Sequence, residues 1–412
     1  MLRQGRAREL GAALKQHVRR SRTPRGNDTW RNPSTMSDHT HIERIHIQGF
    51  RSLADVEFSP GAGANVLIGA NGSGKSNFVK FFNMLSWMLK SRQLAEFVGI
   101  EGGADDQLHG GNETTPRLDA EIAIRTDTGR NDYRFKLAFA HPDQLLFVDE
   151  AFRYSRFDGN APWNSLGSGH REALIVEARQ PNEPEPASEV RARTARVVTH
   201  LLRDCAAYQF HNTGATSKFK KNWDADESGY MRADGGNLPA ILYRLEQEDR
   251  RRYDVICRHI RRVLPGFDRF EIEEQYGKVA LRWRSKHSDK TYGAHLTSDG
   301  SLRFFALATL LNLPAEMLPG VLLLDEPELG LHPKAVALVG DMILALAESR
   351  QIIVATQSPL LVDAFELDQV FVLELEDGRT VLSPRETHQL REWLEDYTLG
   401  ELWQKNLLGG RP

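Results

Sequence analysis

Cysteine is nearly absent. Cys205 and Cys257 are the only two in 412 residues. That leaves no disulfide framework and no thiolate metal cluster, and it fits a reducing cytosol. Long apolar runs are missing too. The longest, Phe304 to Leu311, is bounded by Arg303, Asn312 and Pro314 and is too short to span a bilayer. The N-terminus has no apolar stretch of signal-peptide type, so the expected compartment is the cytoplasm. Neither sign of charge dominates: 53 Lys and Arg face 56 Asp and Glu, for a formal net charge of −3. Any contact with nucleic acid must therefore come from a local patch. No sustained heptad repeat runs between Ser76 and Ser298, which excludes a long coiled-coil arm.

One stretch organises what is present. Gly69-Ala70-Asn71-Gly72-Ser73-Gly74-Lys75-Ser76 fits the phosphate-cradling pattern G-x-x-x-x-G-K-[ST]. Before it, Val66-Leu67-Ile68 reads as a buried parallel strand, and after it Phe78, Phe81, Phe82 and Leu85 fall on one helical face. The glycines let backbone N–H groups wrap phosphates at a helix N-terminus. Lys75 would then reach the β- and γ-phosphates of ATP, the Ser76 hydroxyl would ligate Mg²⁺, and Asn77 follows in the same turn. Phe50 and Arg51 are placed to flank a nucleotide base, with a core Phe and a solvated Arg as the plain alternative.

A second half of the site lies far along the chain. Val321-Leu322-Leu323-Leu324 is a buried strand ending in Asp325 and Glu326. Strand ends of an open parallel sheet line its ligand crevice. Asp325 suits Mg²⁺, and Glu326 can act as general base on an attacking water. A third apolar strand, Ile352–Ala355, ends in Thr356-Gln357-Ser358. Ser298-Asp299-Gly300-Ser301 opens a very apolar helix over 302–311, a further anion-binding N-terminus or a plain cap.

The rest reads more loosely. Residues 1–40 carry nine Lys and Arg against three Asp and Glu and are expected to form a disordered basic tail, with Met36 a candidate start. Alternating strands are expected over 118–125, 133–140, 145–154 and 174–178 as an antiparallel sheet, followed by a linker at Gln180–Pro186 and a helix over 188–203. Residues 234–264 read as one helix capped by Asn237, with Arg244, Arg251, Arg258 and Arg262 on one face. That face is either solvated or a DNA-backbone contact. Residues 270–273 and 279–284 read as a hairpin-like pair.

The loop, the S-D-G-S signature, L-L-L-D-E-P-E-L-G-L-H-P and T-Q-S-P together resemble the ABC-type ATPase heads of the RecF/SMC/OLD group, more narrowly its stand-alone bacterial "AAA-family" ATPases. The resemblance implies an α/β P-loop NTPase with a mixed or parallel core sheet, an antiparallel β lobe and a helical insertion. It implies a tail over 1–40, a lobe with the Walker A loop over 41–180, an insertion over 181–295, and over 296–412 a lobe with the signature, Walker B, D-loop and switch region. It also implies a head-to-tail homodimer with ATP sandwiched between Gly69–Ser76 of one copy and Ser298 and Gly300 of the other. Gly330, Leu331 and His332 would form the D-loop, although His332-Pro333 equally reads as a helix start. Gln357 takes the place of the switch histidine, Asp299 is expected to turn away and cap its helix, and His211-Asn212 is preferred over Gln107 as the Q-loop. Residues 374–412 are too few for the Toprim nuclease domain of OLD proteins, so a nuclease or toxin effector is expected on another chain, in phage defence or DNA maintenance. The competing expectation is a nucleotide-gated scaffold or DNA clamp with little turnover.

Overall fold

The computed structural model describes residues 40–157, 159, 161–180, 186–383, 390 and 392–410. The expected basic tail up to residue 39, the start at Met36 and residues 181–185 of the linker lie outside the described residues.

The sheet that carries the site runs in the order Val321–Asp325, Gln351–Ala355, Ala64–Ile68, Val370–Glu376, Arg379–Ser383. The first four strands are parallel and the last folds back as an antiparallel hairpin arm. The first three are buried along their whole length, which is why they read as unbroken apolar runs rather than as alternation. Residues 64–68 and 321–383, remote in sequence, thus meet in one sheet. Tyr208 extends it at the far edge through a parallel bridge to Leu324.

A six-stranded antiparallel sheet stands against it, in the order Leu53–Phe58, His41–Phe50, Arg117–Thr126, Gly129–Ala140, Gln144–Ser155, Asn164–Gly167. Phe58 joins the layers: its ring packs edge-on against Phe78 at 5.1 Å and against Phe371 of the core sheet at 4.8 Å. The Gln351 side chain accepts from Ile42 N–H and donates to the Ile42 carbonyl, both at 2.9 Å.

Three local readings are corrected. Residues 174–179 form a 3-10 turn rather than a strand, because Leu174 and Ile175 give their N–H groups to the buried Glu150 carboxylate instead of to a ladder. The helix over 234–264 is two helices, Leu238–Glu248 and Arg250–Val263, broken at Asp249. Asp249 leaves helical geometry at φ −140° and caps the second helix by accepting from Arg252 N–H. Asn237 does not cap the first; its amide is spent on Arg232, Glu227 and Tyr230 backbone groups. The pair near 270–284 is also re-registered: Phe267–Phe270 pairs with Arg282–Ser285, while Lys278–Val279 pairs with Trp223–Asp224. Among the described residues no helix is long and apolar enough to cross a membrane.

Candidate functional site

The phosphate loop leaves the central strand at Ile68 and enters the helix Lys75–Ser86. Gly74 sits at φ 103°, and a Cβ there would lie 1.9 Å from Thr380 Oγ1, so only glycine fits. Thr380, on the hairpin arm Arg379–Ser383, donates from its hydroxyl to the Ser73 carbonyl at 3.0 Å and meets the Ser52 hydroxyl at 2.7 Å. The Asn77 amide donates to the same Ser52 hydroxyl at 2.8 Å. The loop is thus braced by Ser52, between the first two strands of the antiparallel sheet, and by Thr380 of the hairpin arm. A C-terminal strap adds to this. Trp403 is fully buried, its indole N–H donates to the Gly410 carbonyl at 2.6 Å, and a Cβ on Gly410 would stand 3.4 Å from Gly69 Cα.

Lys75 is buried, with Nζ on the Gly69 and Ala70 carbonyls at 2.5 and 2.9 Å. Burial pulls its ammonium below the ordinary lysine range, against the fields of Glu326, Asp325 and Glu328. Lysine and carboxylates, remote in sequence, are therefore electrostatic neighbours. Ser76, Asn71 and Gly72 are exposed on the loop.

Asp325 ends its strand with 9% exposure. Burial lifts its carboxyl above the usual carboxylate range; the Gln209 amide, which donates to Asp325 Oδ2, pulls it back, and the charge of Glu326 pushes it further up. Glu326 adopts φ 45°, unusual for a residue with a side chain, and its N–H donates to Ala355 O at 2.8 Å. Its carboxylate accepts from the Gln357 amide. The turn thus points two successive carboxylates in different directions: Asp325 to Gln209, Glu326 to Gln357.

Hard oxygen donors, a hydroxyl on Ser76 and a carboxylate on Asp325, suit Mg²⁺ held partly by nucleotide phosphates. Among the described residues no three His, Cys, Asp or Glu side chains converge as a protein-only metal cage. The oxygen donors of Ser76 and Asp325 fit Mg²⁺ in chemical type.

The signature helix spans Asp299–Leu310. Ser298, not Asp299, caps it, accepting from Ser301 N–H at 3.3 Å; both Ser298 and Asp299 face solvent. A Cβ on Gly300 would come within 2.6 Å of the Gly330 carbonyl, so the signature and the turn after Glu328 touch backbone to backbone. His332 caps the helix Pro333–Ala347 through Lys334 N–H at 3.2 Å, which meets the plain reading of that residue.

Arg51, at φ 47°, is held in an ion pair with Glu101 at 3.0 Å and by Gln107, while Phe50 is buried against Phe81. Gln107 is fully buried in that structural cluster. The glutamine that reaches the Asp325 carboxylate is Gln209, two residues before His211-Asn212, while Gln107 stays in the Arg51 cluster. A glutamine two residues before that pair was the available signal. Sequence reasoning also missed Arg303, whose guanidinium binds the Phe210, His211 and Leu329 carbonyls at 3.0–3.1 Å.

A phosphate loop on a parallel sheet, two carboxylates at the neighbouring strand end and a serine-capped signature helix define the class of P-loop ATPases with an ABC-type head. A family model described as "AAA domain, putative AbiEii toxin, Type IV TA system" matches residues 64–363, and the chain belongs to that family. Curated relatives include the DNA replication and repair protein RecF of Anaeromyxobacter sp. strain Fw109-5, 35% identical over 39% of this chain and 50% of that protein. RecF of Chromohalobacter salexigens is 34% identical over 27% of this chain and 34% of its own length. The chain thus spans a third to a half of these two relatives. Among solved structures, an SMC head bound to the C-winged helix domain of ScpA matches with TM-score 0.54 at 16% identity, over 85% of this chain and 99% of that one. The SMC head with extended coiled coil from Pyrococcus furiosus, bound to the C-terminal domain of ScpA, gives 0.51 at 13% identity over 87% and 99%. At such identity the likeness to the SMC heads is one of fold; the family model and the RecF relatives, together with that fold, bear out the RecF/SMC resemblance of the motifs.

Proposed function

We propose that this chain binds and hydrolyses ATP with Mg²⁺, and that a head-to-tail homodimer closes on the nucleotide to control a separate effector, a nuclease or toxin, in phage defence or DNA maintenance. The observation that carries the reading is Glu326, held at φ 45° and oriented by Gln357 beside the buried Lys75. In this reading Gly69, Ala70, Asn71, Gly72, Ser73 and Gly74 cradle the phosphates through their backbone, and Arg51 and Asn77 secure the loop's flanks. Lys75 leaves its loop carbonyls for the phosphates. Ser76 and Asp325 would hold Mg²⁺, which would supply neutralisation of the phosphate charge. Glu326 takes the proton of the attacking water, and Gln357 keeps its carboxylate aimed. Ser298 and Gly300 of a second copy would complete the site, and the exposed Leu296 and Leu329, beside the signature and its facing turn, are apolar surface such a mate would cover.

Phosphate release by wild type and Glu326→Gln tests this. A loss of about a hundredfold or more is expected, with ATP-dependent dimer retained in the variant. Equal rates would sink the enzyme and favour a nucleotide-gated scaffold.

A second reading, a clamp on DNA, draws on a narrower arginine face than the sequence offered. Arg244 belongs to the first helix and pairs with Glu248 at 2.7 Å. Arg251, Arg258 and Arg262 remain exposed on the second, with no ion pair among the described residues.

A further inference from the structure

Glu328 follows the two strand-end carboxylates with only Pro327 between it and Glu326. Its side chain does not run to solvent. Oε1 accepts from the Thr356 hydroxyl at 2.6 Å and from the Gln357 backbone N–H at 3.2 Å. Oε2 is shielded from solvent and has no hydrogen-bond partner among the described residues. Thr356 in turn donates its N–H to Leu67 O at 3.1 Å, one residue before the last of the strand that feeds the phosphate loop. Its hydroxyl also accepts from Ser358 N–H at 3.0 Å.

Burying a third carboxyl beside Asp325 and Glu326 is costly, and it leaves one oxygen unsatisfied. Burial pushes this carboxyl above the ordinary range, against the donors Thr356 and Gln357. An apolar side chain of similar size would pack there without that cost. What the carboxyl does supply is a fixed acceptor under the backbone of Gln357, the residue whose amide holds Glu326.

We propose that Glu328 is a positioning residue for ATP hydrolysis: it fixes the 356–357 backbone so that the Gln357 amide presents the Glu326 carboxylate to the reacting water. The relay runs Glu328 to the Gln357 N–H, then through the Gln357 side chain to Glu326. It rests on the reading of Glu326 as general base, and it predicts an effect on turnover rather than on nucleotide binding.

The experiment measures steady-state phosphate release and binding of a fluorescent ATP analogue for the full chain. The variants are E326Q, E328A, E328Q, Q357A and the double variant E328A/Q357A. E328A is expected to lower kcat about tenfold to a hundredfold, with KM and analogue affinity within about twofold of wild type. E328Q should recover most of kcat, because its amide oxygen accepts the same two hydrogen bonds. In the Q357A background E328A should add little, since both act through one amide. An unchanged kcat in E328A overturns the proposal, as does E328Q failing like E328A, or the E328A loss persisting in full without Gln357. If E326Q is inactive while E328A is fully active, only this inference falls; if E326Q turns over at the wild-type rate, the assignment of the base falls and this falls with it. Should E328A not fold, Thr356→Val removes the hydroxyl donor at constant volume. It leaves the Gln357 N–H bond in place but frees Glu328 from its other donor, so it should lower kcat by about threefold to tenfold at unchanged KM, and wild-type turnover in it would overturn the proposal.

Discussion

At Gly74 a single hydrogen is the whole side chain, and the hydroxyl of Thr380 occupies the place where any larger one would go. Gly74→Ala therefore meets both a steric and a backbone penalty. The expected cost is about 1–3 kcal/mol in denaturant unfolding, together with at least about a tenfold loss of ATP affinity, because the loop must open to relieve the clash. Unfolding titrations and analogue binding on one preparation check both halves. Lys75, Ser76, Asp325 and Glu326 were legible in the sequence because their chemistry is written into short runs whose flanks are strongly periodic. Gln209, Arg303 and Glu328 were not. Gln209 reaches Asp325 across 116 positions and Glu328 reaches Thr356 across 28, and no local pattern encodes such meetings.

Among the elements, the signature helix is tethered by one side chain more than by its cap. Arg303 gathers carbonyls from the edge segment at Phe210 and His211 and from Leu329 in the turn beyond the strand-end carboxylates. Hydrogen bonds from a charged, half-buried donor are the stronger kind. Arg303→Ala is expected to cost on the order of 2 kcal/mol in the nucleotide-free protein, read from denaturant midpoints at constant slope. Arg303→Lys should recover little, because an ammonium cannot reproduce a three-way planar fork. Two of the elements misread from sequence were settled by a carboxylate: Glu150 took the donors of residues 174 and 175 from 24 and 25 positions away, and Asp249 capped locally and turned an apolar stripe of helical period into two helices. Hydropathy periodicity sees which face is apolar, not where a carboxylate interrupts the backbone. The parallel strands, having no such competitor, were read to within a residue or two.

On the scale of the whole molecule, a near-neutral protein carries three exposed arginines, Arg251, Arg258 and Arg262, on one face of the helix Arg250–Val263. If that face tracks a phosphate backbone, replacing Arg251 and Arg258 by alanine should weaken duplex binding alike for unrelated sequences and reduce the log–log salt slope by about 2. Fluorescence anisotropy between low and moderate salt decides it, and an unchanged slope removes the clamp. The same molecule also ties residues 403–410 to the phosphate loop. Trp403, sunk in the core, hands its indole proton to Gly410, which lies against the backbone of Gly69. A force applied to residues 403–410 is therefore transmitted to the floor of the phosphate loop, so strain there and loop geometry are mechanically one.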